Sequence, residues 1–160
     1  MKKDIFIDNN IASKFANPQD EEYIKLTKWL LEYNKADVEN KDNYAHLIVS
    51  QKLLVEYMRS NQNATGGTSI PIIIDKLTRD GRLIKISNAE IKDFKDKNFT
   101  KTVEKKLKCN IEDREHIPVV LLSNRKLVLS RDDNFAYDLK KFFKRYKVIV
   151  EKRPQDLEYK

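Results

Sequence analysis

Asp132 and Asp133 stand immediately after an apolar stretch in LVLSRDDNF (127–135), and Asp8 closes another in DIFID (4–8). The chain carries 32 Lys and Arg against 25 Asp and Glu, a net charge of +7, so acids placed at strand ends need a reason beyond solubility. Several carboxylates gathered in one crevice repel one another unless a cation joins them. A purely oxygen-based ligand set suits a hard ion, Mg2+ or Mn2+. Such an ion lowers the pKa of a bound water, orients a phosphodiester and stabilises the leaving oxygen. Asp113 is a third candidate. At ~100° per helical residue it shares a face with Ile117, Val120 and Leu121, in phase with the apolar stripe. The competing role is that of a first-turn acid serving the helix dipole. Glu56 sits at the flank of a helix whose buried face reads Leu53, Leu54, Tyr57 and Met58, and spacing alone leaves it exposed.

Other reactive side chains carry less. His46 and His116 are too few and too far apart for a zinc site; His116 is expected to pack at a helix edge or to contact phosphate. Cys109 has no recognisable base partner and reads as a structural thiol. The glycine pair at 66–67 lacks the Lys-Ser/Thr that completes a phosphate loop. KKFFKRYK (140–147) mixes bases with aromatics that could touch RNA, and it fits equally an amphipathic last helix with Phe142 and Phe143 in the core.

The elements that must position these acids alternate along the chain. DIFID (4–8) is a strand. NPQDEEYIKLTKWLLEY (17–33) is a helix, with Asn17 as N-cap, Pro18 in the first helical position and acids in the first turn. A polar connection (34–44) leads to the strand 46–49 and a helix over 51–60 capped by Ser50. The 61–69 segment is a loop by composition. IPIIIDKLTRDG (70–81) is ambiguous between strand and helix; Pro71 in the first turn and Gly81 as a stop favour the helix. A strand (82–87), a helical stretch over 88–110 broken near Asn98, and a helix over 112–123 follow. The strand 126–130, the helix 134–146 and the strand 147–151 complete the pattern. Alternating strands and helices predict an α/β domain with a mainly parallel sheet. In such sheets ligands bind outside the carboxyl ends of the strands, which would bring Asp8 and Asp132 to one edge.

At 160 residues a single domain over 1–160 is expected, large enough to bury a core without disulfides. One cysteine excludes an internal disulfide and fits a reducing, cytoplasmic setting. No stretch approaches the ~20 apolar residues of a membrane span, and the first ten residues lack the apolar core of a signal peptide. The positive balance favours a polyanionic partner, nucleic acid before membrane.

Four motifs together resemble the PIN-domain nucleases. IFIDNNI (5–11) is similar to their opening motif, a hydrophobic strand, an Asp, a small polar pair and an aliphatic residue. IVSQKLLVEYM (48–58) resembles the second, a strand, a Ser and an acid-bearing helix. DREHIPVVLLS (113–123) resembles the third, and LVLSRDDNF (127–135) the fourth, a strand ending in Ser or Thr, one residue, then Asp. The strand and Pro-containing tail VIVEKRPQDLEY (148–159) resemble the family's end. The resemblance implies a three-layer α/β/α sandwich in which Asp8, Glu56, Asp113 and Asp132 hold Mg2+ or Mn2+, Asn10 and Ser130 supply hydrogen bonds, and Asp133 is a neighbouring alternative to Asp132. It implies a metal-dependent endoribonuclease. By analogy with toxin members it also implies a protein inhibitor (an antitoxin) and a homodimer as partners besides RNA. The rivals are a DNA or structured-nucleic-acid nuclease of the same fold, and an inactive interaction module. Pro118 departs from the pattern and is expected to kink the third-motif helix.

Overall fold

A computed structural model describes all 160 residues, and its core is a five-stranded sheet in the order β3-β2-β1-β4-β5 with every pairing parallel. The strands are β1 (Lys3–Ile7), β2 (Ala45–Ser50), β3 (Leu83–Ile86), β4 (Leu127–Leu129) and β5 (Ile149–Glu151). Every residue of β2 and β4, and all but the first of β1, is buried. Successive strand side chains point to opposite faces, so burial of consecutive residues requires cover on both. Helices give that cover, as expected of an α/β domain with three layers. No helix is long and apolar enough to cross a membrane.

The helices are α1 (Asn9–Ala12), α2 (Glu21–Leu31), α3 (Gln51–Ser60), α4 (Ile70–Arg79), α5 (Asn88–Asn98), α6 (Lys101–Lys106), α7 (Ile111–Arg114), α8 (His116–Leu121) and α9 (Asp133–Phe142). The ambiguous 70–81 segment is helical, with Pro71 in the first turn. Gly81 follows it at φ 67°, a left-handed conformation that glycine adopts without strain. The predicted break near Asn98 lies at Phe99, after which the Thr100 side chain caps α6; helix then stops at Lys106 rather than running to 110.

Several boundaries differ from expectation. The 17–33 helix begins at Glu21, because the Asp20 carboxylate accepts the Glu22 N–H and so takes the cap assigned to Asn17. The polar connection 34–44 contains a 3-10 helix over Val38–Asn43. The 112–123 helix divides at Glu115 into α7 and α8. Pro118 explains the break: it offers no N–H to Arg114, four residues back, and its ring crowds that carbonyl. The last helix ends at Phe142 and yields to a 3-10 turn at Lys144–Tyr146, with Lys147 at φ 55°. Met58, placed on the buried face of α3, is exposed, and Phe143 is more deeply buried than Phe142. The 61–69 loop is docked: a Cβ on Gly66 would strike the Ala16 carbonyl, and Thr68 Oγ1 donates to the Phe15 carbonyl at 2.5 Å.

The sheet order contains one reversal. From β1 the chain builds outward through β2 and β3, then returns to lay β4 against the other side of β1. The crevice at such a switch point opens between the carboxyl ends of the two central strands. Here those ends are Asp8 and Ser130, since Ile7 pairs with Leu129.

Candidate functional site

Asp8 follows β1 at the N-terminus of α1 and is half-buried. Its backbone N–H extends the ladder to the Leu129 carbonyl at 2.9 Å. Its Oδ2 accepts from Ser130 Oγ at 2.6 Å and from Asn10 Nδ2 at 3.3 Å. Burial raises the Asp8 pKa, the Ser130 hydrogen bond and the His116 imidazole act against that rise, and the Glu56 charge adds to it. Asn10 is bidentate, because its Oδ1 also accepts the Arg131 N–H at 3.1 Å.

Asp132 caps α9. Its Oδ1 accepts the N–H groups of Asn134 and Phe135 at 2.9 and 3.0 Å, while no N–H reaches Oδ2. The Ser130 hydroxyl accepts the Asp132 N–H at 3.1 Å, so one serine links both acids. Asp133 diverges: its carboxylate is exposed and pairs with Lys152 Nζ at 2.7 Å. Of the two adjacent acids, Asp132 is the one whose charge acts on Asp113.

Asp113 sits in α7, whose first turn is capped by Asn110 through a 2.8 Å bond to the Asp113 N–H. Lys52 of α3 reaches the Glu112 carbonyl at 2.9 Å and ties α7 to α3. Burial first, then the charges of Asp8 and Asp132, push the Asp113 pKa up to about 6.

Glu56 reaches the group from α3. Its neighbour Tyr57 is fully buried and donates its hydroxyl to the Ile7 carbonyl, which pins α3 to the end of β1. The phenol is raised well above its ordinary value by burial, then by Asp8 and Glu56. Glu56 is held by His116: Nε2 lies 3.0 and 3.1 Å from the two carboxylate oxygens. An ionised carboxylate only accepts, so Nε2 carries the proton. His116 is buried, and its Nδ1 has no partner. Expected at a helix edge or on phosphate, it instead braces an acid from within the core.

The Glu56 charge adds to the raised pKa of Asp8, and the charges of Asp8 and Asp132 add to that of Asp113. No three acidic or imidazole groups lie close enough to grip an ion by themselves. That spacing still fits Mg2+, which keeps several waters and is commonly held by only one or two carboxylates. The largest cavity, about 470 Å3, lies elsewhere, between α2 and the C-terminal segment, and is lined by Glu22, Lys25 and Tyr159 among others. Its acids are Glu22 and Glu158, and none of Asp8, Glu56, Asp113 and Asp132 lines it.

Two further buried acids escape sequence reasoning because they fall outside any motif. Asp138 of α9 accepts the Lys108 N–H with both oxygens at 2.9 Å and the Cys109 N–H at 2.8 Å. Asp4 accepts the N–H groups of Asn124 and Arg125 at 2.6 and 2.9 Å. Both have all-protein partners and are structural. Cys109 is a buried thiol raised in pKa by burial and Asp138, as a structural role requires. His46 is buried with Nδ1 2.9 Å from the Tyr44 carbonyl. No family model, curated protein or solved structure matches the chain significantly.

Proposed function

We propose that this chain is a PIN-like, metal-dependent nuclease that hydrolyses RNA at the acidic notch. The observation that carries the reading is the convergence of carboxylates from four separate elements, close enough for two of them to raise the pKa of Asp113. Placing like charges together is costly for folding. Purely structural acids are paired instead, as Asp4 and Asp138 are with N–H groups. The excess of Lys and Arg supports a polyanionic substrate.

One or two of Asp8, Asp113 and Asp132 would hold a divalent ion directly, with the other acids of the set, Glu56 among them, reaching it through water. When bound, such an ion lowers the pKa of a co-ordinated water and neutralises charge on the scissile phosphate. The protein's own contribution is orientation. Ser130 orients the Asp8 carboxylate and ties it to the Asp132 backbone N–H. Asn134 and Phe135 occupy Oδ1 of Asp132 and leave Oδ2 to face the notch. His116 holds Glu56 against Asp8. Asp113, whose pKa is raised to about 6, would give up its proton to serve as a ligand, which makes binding of the ion pH-dependent.

A second reading has its own observation. Asp132 is fully serviceable as an N-cap, and Glu56 is already paired with His116, so the edge could serve as a binding surface without chemistry. Purified protein, labelled single-stranded RNA and DNA, and Mn2+ or chelator separate the two. The nuclease reading expects Mn2+-dependent cuts that fall by orders of magnitude in Asp8→Asn and Asp132→Asn, while RNA binding persists. Binding without cleavage of either nucleic acid under any divalent ion would hand the protein to the second reading.

A further inference from the structure

We infer that a cavity beside the acidic notch is a subsite for single-stranded nucleic acid, with Arg131 and Arg153 taking a backbone phosphate and Tyr23 stacking on a base. The inference rests on the nuclease reading only for where the strand goes next. The cavity has a volume of about 310 Å3 and lies between the start of α2 and the segment after β5. Tyr23, Arg131, Lys152 and Arg153 line it, with Asp20 as its one acid.

The charges there are unevenly committed. Asp20 Oδ1 is occupied by the Glu22 N–H at 2.8 Å, and Lys152 is occupied by Asp133. Arg131 and Arg153 are exposed, and neither guanidinium makes an ion pair or a side-chain hydrogen bond. Both line the same cavity as Tyr23, whose phenol is raised by burial while the two guanidinium charges act against that rise. Two unpaired guanidinium forks around one concavity match the geometry of phosphate oxygens. Tyr23 is half-buried and braced from behind by Phe15, ring centroids 6.2 Å apart, so one of its faces is held rigid. An aromatic face beside a cationic pair is the arrangement that binds single strands without reading sequence.

Position links the cavity to the acids. Arg131 lies between Ser130 and Asp132, and its N–H donates to the Asn10 side chain that also contacts Asp8. A phosphate held at Arg131 is therefore next to the notch, and the strand approaches it over the β4–β5 side of the sheet.

The test uses the full chain and a fluorescein-labelled oligouridylate of about ten nucleotides, titrated by anisotropy in EDTA over a salt series. Arg131→Ala with Arg153→Ala should weaken binding by tenfold or more and reduce the log–log salt slope by about 0.7 for each phosphate no longer neutralised. Tyr23→Ala should weaken binding about tenfold with the slope unchanged, and Tyr23→Phe should restore affinity. Lys2→Ala with Lys35→Ala removes the same charge at the amino-terminal edge of the sheet and should have far less effect than the arginine pair. The inference is overturned if the arginine pair and that control weaken binding equally, if Tyr23→Phe binds as poorly as Tyr23→Ala, or if polyglutamate competes as well as unlabelled oligouridylate. Failure of the two readings is separable. Wild type that cuts RNA while the arginine pair binds like wild type sinks only the subsite. Wild type that binds through these residues yet never cuts with Mn2+ sinks only the nuclease.

Discussion

The Ser130 hydroxyl donates to Asp8 Oδ2 over 2.6 Å, closing the gap between the ends of β1 and β4. Ser130 is buried and accepts the Asp132 N–H at the same time, so a single oxygen contacts the carboxylate of one acid and the backbone of the other. Replacing Ser130 by Ala should lower Mn2+ affinity about 10- to 100-fold, the usual penalty for removing a residue that orients a ligand. The stability cost should be smaller, about 1 kcal/mol. Ser130→Thr keeps the hydroxyl and should recover most of the affinity. Calorimetric titration with Mn2+ measures all three proteins; equal affinity for wild type and Ser130→Ala would remove Ser130 from the site.

Without a divalent ion, the protein should lose stability as pH rises through the region between the ordinary carboxylate value and about 6. Asp113 is raised to about 6 and Asp8 is raised in the same direction. In that window the folded state binds more protons than the unfolded chain, so unfolding becomes easier as pH increases. Acids stabilised by ion pairs behave in the opposite sense. Melting curves in EDTA between pH 4 and 7 check the sign. For Asp113→Asn this part of the pH dependence should shrink, and a profile identical to wild type would contradict the assignment.

Added Mg2+ or Mn2+ should reverse that loss near neutral pH. A ligand present at 100 times its Kd stabilises the native state by about 2.7 kcal/mol. For a chain of this size that corresponds to a rise in Tm of roughly 5–10 °C. The same additions should leave an Asp8→Asn, Asp113→Asn double variant almost unmoved. Superimposable wild-type melts in Mn2+ and in EDTA would speak against a metal site.

Asp138 should prove essential to the fold although it faces away from the chemistry. Its carboxylate is fully buried and holds two consecutive N–H groups of the segment that leads into α7. Asp138→Ala leaves those donors unsatisfied, and about 3 kcal/mol of destabilisation is expected. Asp138→Asn keeps an acceptor and should cost less. Chemical denaturation measures both, and a loss under about 1 kcal/mol for the Ala variant would mean that water replaces the carboxylate.

What could be read from the chain follows the range of the interactions responsible. Asp8 and Ser50 stand where an apolar run stops, a local signal, and both sit at strand ends as read. The helix read over 70–81, observed over Ile70–Arg79, is legible for the same reason, through Pro71 and Gly81. The start of α2 was misplaced because Asn17 and Asp20 are both good caps, and three residues decide between them only through contacts made by the rest of the fold. Glu56 was invisible to helical spacing, since its environment comes from His116, 60 residues away in sequence. His116 itself looked like an edge residue because a single imidazole has no period. The unpaired state of Arg131 and Arg153 depends on which acids fail to reach them, and no sequence pattern carries that information.

The return of β4 to the side of β1 has a consequence for synthesis. Asp8 is translated long before Asp132. Their shared serine reaches Asp8 only after β4 has docked in register beside β1. Such distant pairing forms late, after the intervening loops have closed. On the nuclease reading, a nascent chain that has not yet emerged through β4 carries Asp8 and Glu56 on unfinished scaffolding and cannot cut the message being translated. On that reading, activity toward RNA would begin only once β4 has been translated and has docked beside β1. A ribosome-stalled chain ending at residue 125 should accordingly be inert in the cleavage assay.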